Sequence, residues 1–223
     1  MVNLMADRAF VIGDPITHSR SPLIHGHWLR HHHIAGSYEA IHVKQHELAG
    51  FLKSLAPQGF VGGNVTVPHK EAVFELVKRC DEIAEEIGAV NTLWMEEGEL
   101  RAGNTDSFGF AQNLDEQAPG WDEGNVAVVI GAGGACRGVL HALKQRGFND
   151  IRVANRSIDR VQELVSRFGP TVSAHGFSAL DEIASGVRLI INTSSLGMKG
   201  VGDVPVDMNK LAHDALVTDI VYV

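Results

Sequence analysis

The chain contains 223 residues, of which 44% are apolar and 21% are charged, and its formal net charge is −8. This composition excludes intrinsic disorder and fibrous repeats, and the length suits one large domain or two small ones. An acidic balance without basic clusters argues against nucleic acid and anionic membranes as partners. Asp7 and Arg8 interrupt the N-terminus and no run of about 18 apolar residues occurs, so we expect neither a secretory signal nor a membrane span. The two cysteines, Cys80 and Cys136, are typical of a reducing cytoplasm.

The first half of the chain alternates short apolar runs with segments of helical spacing. The predicted strands cover 8–13, 37–43 and 63–67, and the predicted helices cover 22–32, 45–55, 70–79 and 81–87. Such alternation is typical of βαβ units and an α/β fold. Pro22 suits the first position of the first helix, with Ser21 as its N-cap.

Histidines are concentrated on the first predicted helix and just after it. His27 and His31 lie one helical turn apart, and His32 and His33 follow directly. They lack the accompanying carboxylate motif of a metal-binding helix, so we expect a solvated helix surface and no metal site.

A polar, turn-rich stretch at 118–125 separates the two halves. The segment before it, 106–117, has helical spacing and predicts a connecting helix. The run after it, 126–130, is β-branched throughout except for one alanine, which is typical of a parallel strand covered on both faces. The sequence therefore predicts two domains, residues 1–106 and residues 107–223.

A glycine-rich turn follows the strand at 126–130. The sequence Gly131-Ala-Gly-Gly-Ala135 leads into an apolar helix, and a further strand at 150–154 comes next. In this context glycines allow backbone N–H groups to approach a pyrophosphate at the start of the helix. Cys136 stands where the strict fingerprint has Gly or Ala. A simple tight turn is the alternative, but the two flanking strands favour dinucleotide binding.

The end of the 150–154 strand indicates which dinucleotide binds. Asn155, Arg156, Ser157 and Arg160 stand where a site for the unphosphorylated ribose would have an Asp or Glu. Guanidinium groups pair well with a 2′-phosphate. The alternative, an exposed basic helix start, is disfavoured by the helix dipole. The sequence therefore predicts NADP as the cofactor.

Small polar side chains cluster at the ends of strands in the first half. Asn64 and Thr66 alternate along one predicted strand and so share a face. Lys70 stands at the start of the next helix, where the helix dipole disfavours an ammonium. A lysine so placed, facing a carboxylate such as Asp106, is typical of an acid–base pair.

Six motifs occur in the order found in one known family. They are Gly13-Asp-Pro-Ile-Thr-His-Ser-Arg-Ser-Pro22, Asn64-Val-Thr-Val-Pro-His-Lys70, Ala89-Val-Asn-Thr92, Asn104-Thr-Asp106, Gly131-Ala-Gly-Gly-Ala135 and Asn192-Thr-Ser-Ser-Leu-Gly-Met198. On these motifs the chain resembles shikimate dehydrogenase. The resemblance implies an N-terminal α/β substrate-binding domain and a Rossmann domain that binds NADP. It also implies the reversible reduction of 3-dehydroshikimate to shikimate, a cytoplasmic step of chorismate and aromatic amino-acid biosynthesis.

The resemblance further implies a role for each matched residue. Ser19, Ser21 and Tyr222 would lie at the substrate carboxylate. Lys70 would exchange the proton, and Asp106 would orient it. The residues implied to bind the ring hydroxyls are Asn64, Thr66, Asn91 and Asp106. The residues implied to contact the cofactor are Glu82, Gly131, Ala132, Gly133, Gly134, Ala135, Asn155, Arg156, Ser157, Arg160, Thr193 and Ile220.

The chain departs from the family pattern at three places. Cys136 replaces a serine in the glycine loop, and Ser107 replaces the glycine that usually follows Asp106. The family continues past Tyr222 with a further motif and a last helix pair, so we expect this chain to lack a C-terminal segment.

Two other functions are compatible with these residues. One is a quinate/shikimate dehydrogenase of the same superfamily, although the paired Ser19 and Ser21 favour shikimate. The other is a non-catalytic protein that binds shikimate or nucleotide and has a regulatory role. The presence of both Lys70 and Asp106 favours an enzyme. A homodimer is compatible with the sequence.

Overall fold

A computed structural model describes residues 6–198 and 201–221. The chain forms two compact units, Met1–Asn104 and Thr105–Val223, each with its own sheet and apolar core. The predicted α/β class is confirmed. The predicted boundary between residues 106 and 107 falls within the first turn of a helix that begins at Asp106, so Asp106 belongs to the second unit. No helix within the described ranges is both long and apolar enough to cross a bilayer.

The first unit contains a mixed sheet. Its strands are β1 (Asp7–Gly13), β2 (Gly36–His42), β3 (Phe60–Val65), β4 (Thr92–Glu96) and β5 (Glu99–Gly103). Its helices are α1 (Ser21–His31), α2 (Leu48–Ser54), α3 (Lys70–Leu76) and α4 (Glu82–Ile87), with a 3-10 turn at Gln45–Glu47. The strand order is β2-β1-β3-β4-β5. The first three strands are parallel, whereas β4 runs antiparallel to both its neighbours.

The hairpin of β4 and β5 was not predicted. Its two-residue turn consists of Glu97 and Gly98, which both have positive φ, at 51° and 80°. Such a turn matches the twist of a two-stranded hairpin, but it usually shows Asn or Asp before the glycine. Because Glu97 stands where Asn or Asp is usual, the sequence does not indicate this turn.

Two glycines allow β3 to lie at the centre of this sheet. A Cβ at Gly62 would come 2.4 Å from the carbonyl oxygen of Leu93, and a Cβ at Gly63 would come 2.4 Å from that of Phe10. Phe10 itself packs edge-on against Phe51 and Phe60, with ring centroids 5.3 and 5.2 Å away. The core of the first unit thus packs tightly against β3, and this packing fixes the position of the polar residues that follow the strand.

The second unit contains a wholly parallel sheet over its described residues. Its strands are β6 (Val126–Ile130), β7 (Asp150–Asn155), β8 (Val172–Gly176), β9 (Leu189–Asn192) and β10 (Leu216–Asp219). Its helices are α5 (Asp106–Gln117), α6 (Gly134–Gln145), α7 (Ile158–Phe168) and α8 (Leu180–Ile183), with 3-10 turns at Phe177–Ala179 and Met208–Lys210. The strand order is β10-β9-β6-β7-β8.

The strand order of the second unit reverses direction at β6. The chain moves outward from β6 to β7 and β8 and then returns to β9 on the other side. Ligands of such sheets bind beyond the carboxyl ends of the strands at this reversal. The predicted strand at 126–130 is confirmed as buried on both faces, because Ala127, Val128, Val129 and Ile130 are fully buried.

Candidate active site

Two loops of the first unit are joined beyond the ends of β1 and β3. The Thr66 amide donates to the Ile12 carbonyl at 2.9 Å, and the Asp14 amide donates to the Val67 carbonyl at 3.1 Å. Gly13 makes this contact feasible, because a Cβ there would come 2.8 Å from the Thr66 methyl carbon. The loop that contains Ser19 and the loop that contains Thr66 and leads to Lys70 are therefore joined at their bases.

Asn64 occupies the centre of a hydrogen-bond network beside these loops. Its amide nitrogen donates to the Asn91 carbonyl at 3.2 Å and lies 3.4 Å from the Thr92 hydroxyl. Its side-chain oxygen accepts a hydrogen bond from the Tyr38 hydroxyl at 2.6 Å. The Thr92 hydroxyl in turn donates to the Asn91 side-chain oxygen at 2.7 Å. These bonds fix the orientation of the Asn64 amide, which has two chemically different ends.

Tyr38 belongs to this network and His25 stacks on its ring, although the sequence indicated a role for neither. The Tyr38 hydroxyl donates to Asn64, and burial raises its pKa far above the ordinary value. His25 stacks flat on the Tyr38 ring, with centroids 4.1 Å apart and planes 5° apart. Burial lowers the pKa of His25, which favours the neutral ring. No local pattern indicated either role, because Tyr38 matches an ordinary strand residue and His25 an ordinary helix residue.

The start of α1 differs from its prediction. The residue before the helix is Arg20, and no side chain caps the first turn. Ser21 is the first helical residue, and its amide donates to the Ser19 hydroxyl at 3.3 Å. The prediction that Ser21 caps the helix was therefore wrong, because Ser21 is itself the first residue of the helix.

Lys70 begins α3, as predicted, and its backbone is held from two sides. The preceding residue, His69, is fully buried. Its Nε2 lies 2.6 Å from the Val43 carbonyl, which can only accept, so Nε2 carries the proton. The Lys70 carbonyl accepts from the Val90 amide at 2.9 Å. The sequence gives His69 no role of its own, whereas in the structure its bond to Val43 fixes the backbone just before Lys70.

Asn91 connects the lysine to the hydroxyl network. Its backbone amide donates to the Gly103 carbonyl at 3.1 Å, and its backbone carbonyl accepts from the Val65 amide at 2.9 Å. Asn104, which is also buried, donates to the Ala89 carbonyl at 2.8 Å. The segment that contains Val90 and Asn91 is thereby fixed at both ends. The structure brings Ser19, Ser21, Asn64, Thr66, Lys70 and Asn91 together at one end of the first sheet.

In the second unit the glycine-rich turn connects β6 to α6. Gly131 has a φ of 106°, and a Cβ there would come 2.9 Å from the Ser194 amide nitrogen. Gly133 precedes α6, and a Cβ there would meet open space. Ala132 and Ala135 complete the turn and the helix start, and Gly134 is the first helical residue. A turn of this kind leaves room for an anion at the backbone N–H groups of the helix start. The residues present fit a pyrophosphate.

Cys136 fills the position where the strict glycine fingerprint differs. Its side chain is fully buried in the core formed by β6, β7 and α6. A small apolar side chain at this place packs the helix against the sheet, which is the function of the third glycine in the usual fingerprint. The departure at Cys136 therefore leaves the turn itself unchanged.

The end of β7 presents the residues predicted to select the cofactor. The side-chain amide of Asn155 donates to the Ser157 carbonyl at 3.0 Å, where the chain turns into α7. Arg156, Ser157 and Arg160 are all exposed. Two guanidiniums and a hydroxyl at the tip of the strand next to the glycine turn are a donor set that fits a 2′-phosphate.

The other cofactor residues implied by the sequence have different surroundings. Thr193 is buried, and its hydroxyl donates to the Ile130 carbonyl at 2.9 Å. Ile220 is partly exposed just after β10, and its amide donates to the Asn192 carbonyl at 3.2 Å. Glu82 is exposed in the first turn of α4, which belongs to the first unit. Tyr222 lies outside the described residues.

Asp106 begins α5 in the second unit, where it is partly buried. Its first turn packs closely on α6, because a Cβ at Gly138 would come 2.8 Å from the Cβ of Asp106. Among residues 6–198 and 201–221, no group of three or more His, Cys, Asp or Glu side chains could hold a metal ion. The histidines at and after the end of α1, His31, His32 and His33, are exposed.

Comparisons with known proteins agree with this arrangement. A family model for the shikimate dehydrogenase substrate binding domain matches residues 11–93, and one for shikimate/quinate 5-dehydrogenase matches residues 115–212. Shikimate dehydrogenase (NADP(+)) from Mesorhizobium japonicum is 58% identical over 97% of this chain and 77% of its own length.

Solved structures show the same similarity. Shikimate 5-dehydrogenase from Thermus thermophilus, in complex with NADP(H) and shikimate, is 32% identical with a TM-score of 0.81, over 97% of this chain and 79% of that one. Quinate dehydrogenase from Corynebacterium glutamicum, in complex with NAD, is 27% identical with a TM-score of 0.87, over 97% and 80%.

Proposed function

The chain belongs to the shikimate dehydrogenase family, and on that premise we propose that it catalyses the reversible, NADP-dependent reduction of 3-dehydroshikimate to shikimate. The observation that carries the proposal is the network of Tyr38, Asn64 and Asn91, which is linked through Val90 to Lys70. The first unit would bind the substrate and the second would bind the cofactor. The reaction places the protein in chorismate and aromatic amino-acid biosynthesis.

The proposed substrate suits the side chains of the first unit. A ring that carries hydroxyls and one carboxylate needs a hydrogen-bond partner for each polar group once it leaves water. The hydroxyls of Ser19 and Ser21 would donate to the carboxylate. Amide and hydroxyl groups of Asn64, Thr66 and Asn91 would serve the ring hydroxyls. Tyr222 would approach the carboxylate.

Lys70 would handle the proton of the reaction. In the reductive direction its ammonium would donate a proton to the oxygen of the carbonyl that becomes a hydroxyl. In the oxidative direction the neutral amine would take that proton back. Asp106 would accept a hydrogen bond from a ring hydroxyl and orient the lysine. NADPH, when bound, supplies the hydride.

Apart from Glu82, which belongs to the first unit, the residues that would hold NADP follow the carboxyl ends of strands in the second sheet. The turn from Gly131 to Ala135 and the first N–H groups of α6 would receive the pyrophosphate. Asn155, Arg156, Ser157 and Arg160 would hold the 2′-phosphate and its ribose. Thr193, Ile220 and Glu82 would lie toward the nicotinamide end.

The direct test is replacement of the lysine. We expect the unaltered chain to reduce NADP in the presence of shikimate, and Lys70→Ala to lower kcat by at least about a hundredfold. Shikimate binding, measured by calorimetry, should persist in Lys70→Ala, because the hydroxyl and amide ligands remain. A variant that retains near-normal kcat would contradict the assignment of Lys70.

A quinate/shikimate dehydrogenase is a second candidate, because the C. glutamicum quinate dehydrogenase shares the fold with a TM-score of 0.87. Comparison of kcat/KM for shikimate with NADP and for quinate with NAD separates the two. If shikimate binds but no hydride transfer occurs with either cofactor, the regulatory alternative is favoured. Cytoplasmic location and a homodimer are further expectations, which cell fractionation and analytical ultracentrifugation would test.

A further inference from the structure

A side-chain pair joins α5 to α6 beside the start of α5. The Ser107 hydroxyl and Nδ1 of His141 lie 2.7 Å apart, which is a normal hydrogen-bond distance for a hydroxyl. Ser107 is only 7% exposed, so water has little access to this bond. Ser107 is the residue that stands where the family usually has glycine, and the proposed reaction gives neither member of the pair a role.

The same two helices also approach closely through their backbones. A Cβ at Gly138 would come 2.8 Å from the Cβ of Asp106 and 3.4 Å from the Ser107 amide nitrogen. Gly138 and His141 are three residues apart on α6 and therefore share a face of that helix. The first turn of α5 thus rests on one short stretch of α6, with a close backbone contact at Gly138 and a side-chain bond at His141.

This contact constrains the direction of the Asp106 side chain. Neighbouring residues of a helix point about 100° apart, so a fixed Ser107 side chain fixes the rotation of the first turn. The first turn of a helix is otherwise the part that frays, because its N–H groups lack partners within the helix. Thr105, which precedes the helix, makes no side-chain capping bond.

We propose that Ser107 and His141 are positioning residues, which hold the Asp106 carboxylate in the direction that the reaction requires. The helix that supplies His141 also begins at the glycine-rich turn, so one rigid element supports both the cofactor loop and the start of α5. In this chain a serine–histidine bond supplies the constraint beside Asp106. This inference rests on the proposed function, because it assigns Asp106 to the shikimate reaction.

The test is a double-mutant cycle with Asp106. We expect Ser107→Ala or His141→Leu to lower kcat for shikimate oxidation by about three- to tenfold, the value of one neutral hydrogen bond. The same changes in the Asp106→Asn background should alter kcat by less than about twofold, because the carboxylate they position is gone. His141→Asn, which keeps a polar atom near the place of Nδ1, should restore most of the activity.

Two further measurements separate positioning from stability. The unfolding temperature and the Kd for NADP, measured by calorimetry in both backgrounds, report what the bond contributes to folding and cofactor binding, whereas the positioning role predicts a loss of kcat only where Asp106 is present. Equal losses of kcat with Asp106 and with Asp106→Asn would overturn the positioning role and leave the proposed function intact. Absence of turnover in the unaltered chain would instead contradict the proposed function, and this inference would fall with it.

Discussion

The two units build their candidate sites in different ways, the first from side chains and the second from the backbone. In the first unit, side chains hold one another, as the bonds among Tyr38, Asn64, Asn91 and Thr92 show. In the second unit the backbone forms the site, through a turn in which Gly131 adopts a conformation that side chains disfavour. The difference follows the chemistry of the proposed ligands. A polyhydroxylated ring needs donors and acceptors in specified directions, whereas a phosphate needs several N–H groups and positive charge.

The largest effect should come from the backbone side of this comparison. We expect Gly131→Ala to destabilise the second unit by about 1–3 kcal/mol and to abolish NADP binding, because both φ and the nearby Ser194 amide oppose a Cβ. Gly133→Ala is the matched control. Its Cβ would meet open space, so the free energy of unfolding should hardly change, while the affinity for NADP falls. Denaturant unfolding and calorimetry measure the two quantities, and equal stability losses would contradict the distinction.

Cofactor choice should be the next most sensitive property. Replacing Arg156 and Arg160 together with Ala should raise the KM for NADP by roughly 10- to 100-fold, because charge-assisted bonds to a phosphate are lost. The KM for NAD should not change, since NAD lacks that phosphate. Arg167→Ala is the control for loss of positive charge, because Arg167 lies in the last turn of α7, the helix that also contains Arg160. Steady-state kinetics with both cofactors decide the outcome.

A smaller effect is expected on the side-chain network of the first unit. Tyr38→Phe removes the donor to Asn64 and should raise the KM for shikimate by about three- to tenfold, the value of one neutral hydrogen bond. The KM for NADP should stay constant, because Tyr38 belongs to the first unit. A change in both KM values, or in neither, would show that this network does not act on the substrate alone.

The smallest effect should be a pH dependence of stability. Burial lowers the pKa of His25 in the folded chain. The unfolded chain therefore binds the proton more readily, and the contribution of His25 to stability is lost as the pH falls below about 6.5. We expect His25→Phe, which keeps a ring on Tyr38, to reduce the fall in unfolding temperature between pH 7 and pH 5. The same slope in both proteins would contradict this role.

Several elements could be predicted from the sequence because their signals are local. The β-branched run of β6 and the 106–117 segment of α5 were placed with their observed bounds. The glycine turn from Gly131 to Ala135 is a similar case, since its strand and helix adjoin it in the chain. The order of motifs was also enough to indicate the family, which the comparisons then showed.

Other features were not predictable because they join distant parts of the chain. Tyr38 and Asn64 are 26 residues apart, and Ser107 and His141 are 34 apart. Ser21 was predicted as a helix cap because a serine before a proline matches that pattern locally. In the structure Ser21 is the first helical residue, and no side chain caps the first turn.

The sequence by itself determined the α/β class, the glycine turn and the residue types available for an acid–base site and a phosphate site. Each of these depends on periodicity or on the conformational range of single residues, which neighbours in the chain fix. Tertiary structure alone decided which side chains meet, as the stack of His25 on Tyr38 and the contact of Ser107 with His141 show. Hydrogen bonds act over about 3 Å, so a partner is specified only when packing has placed it.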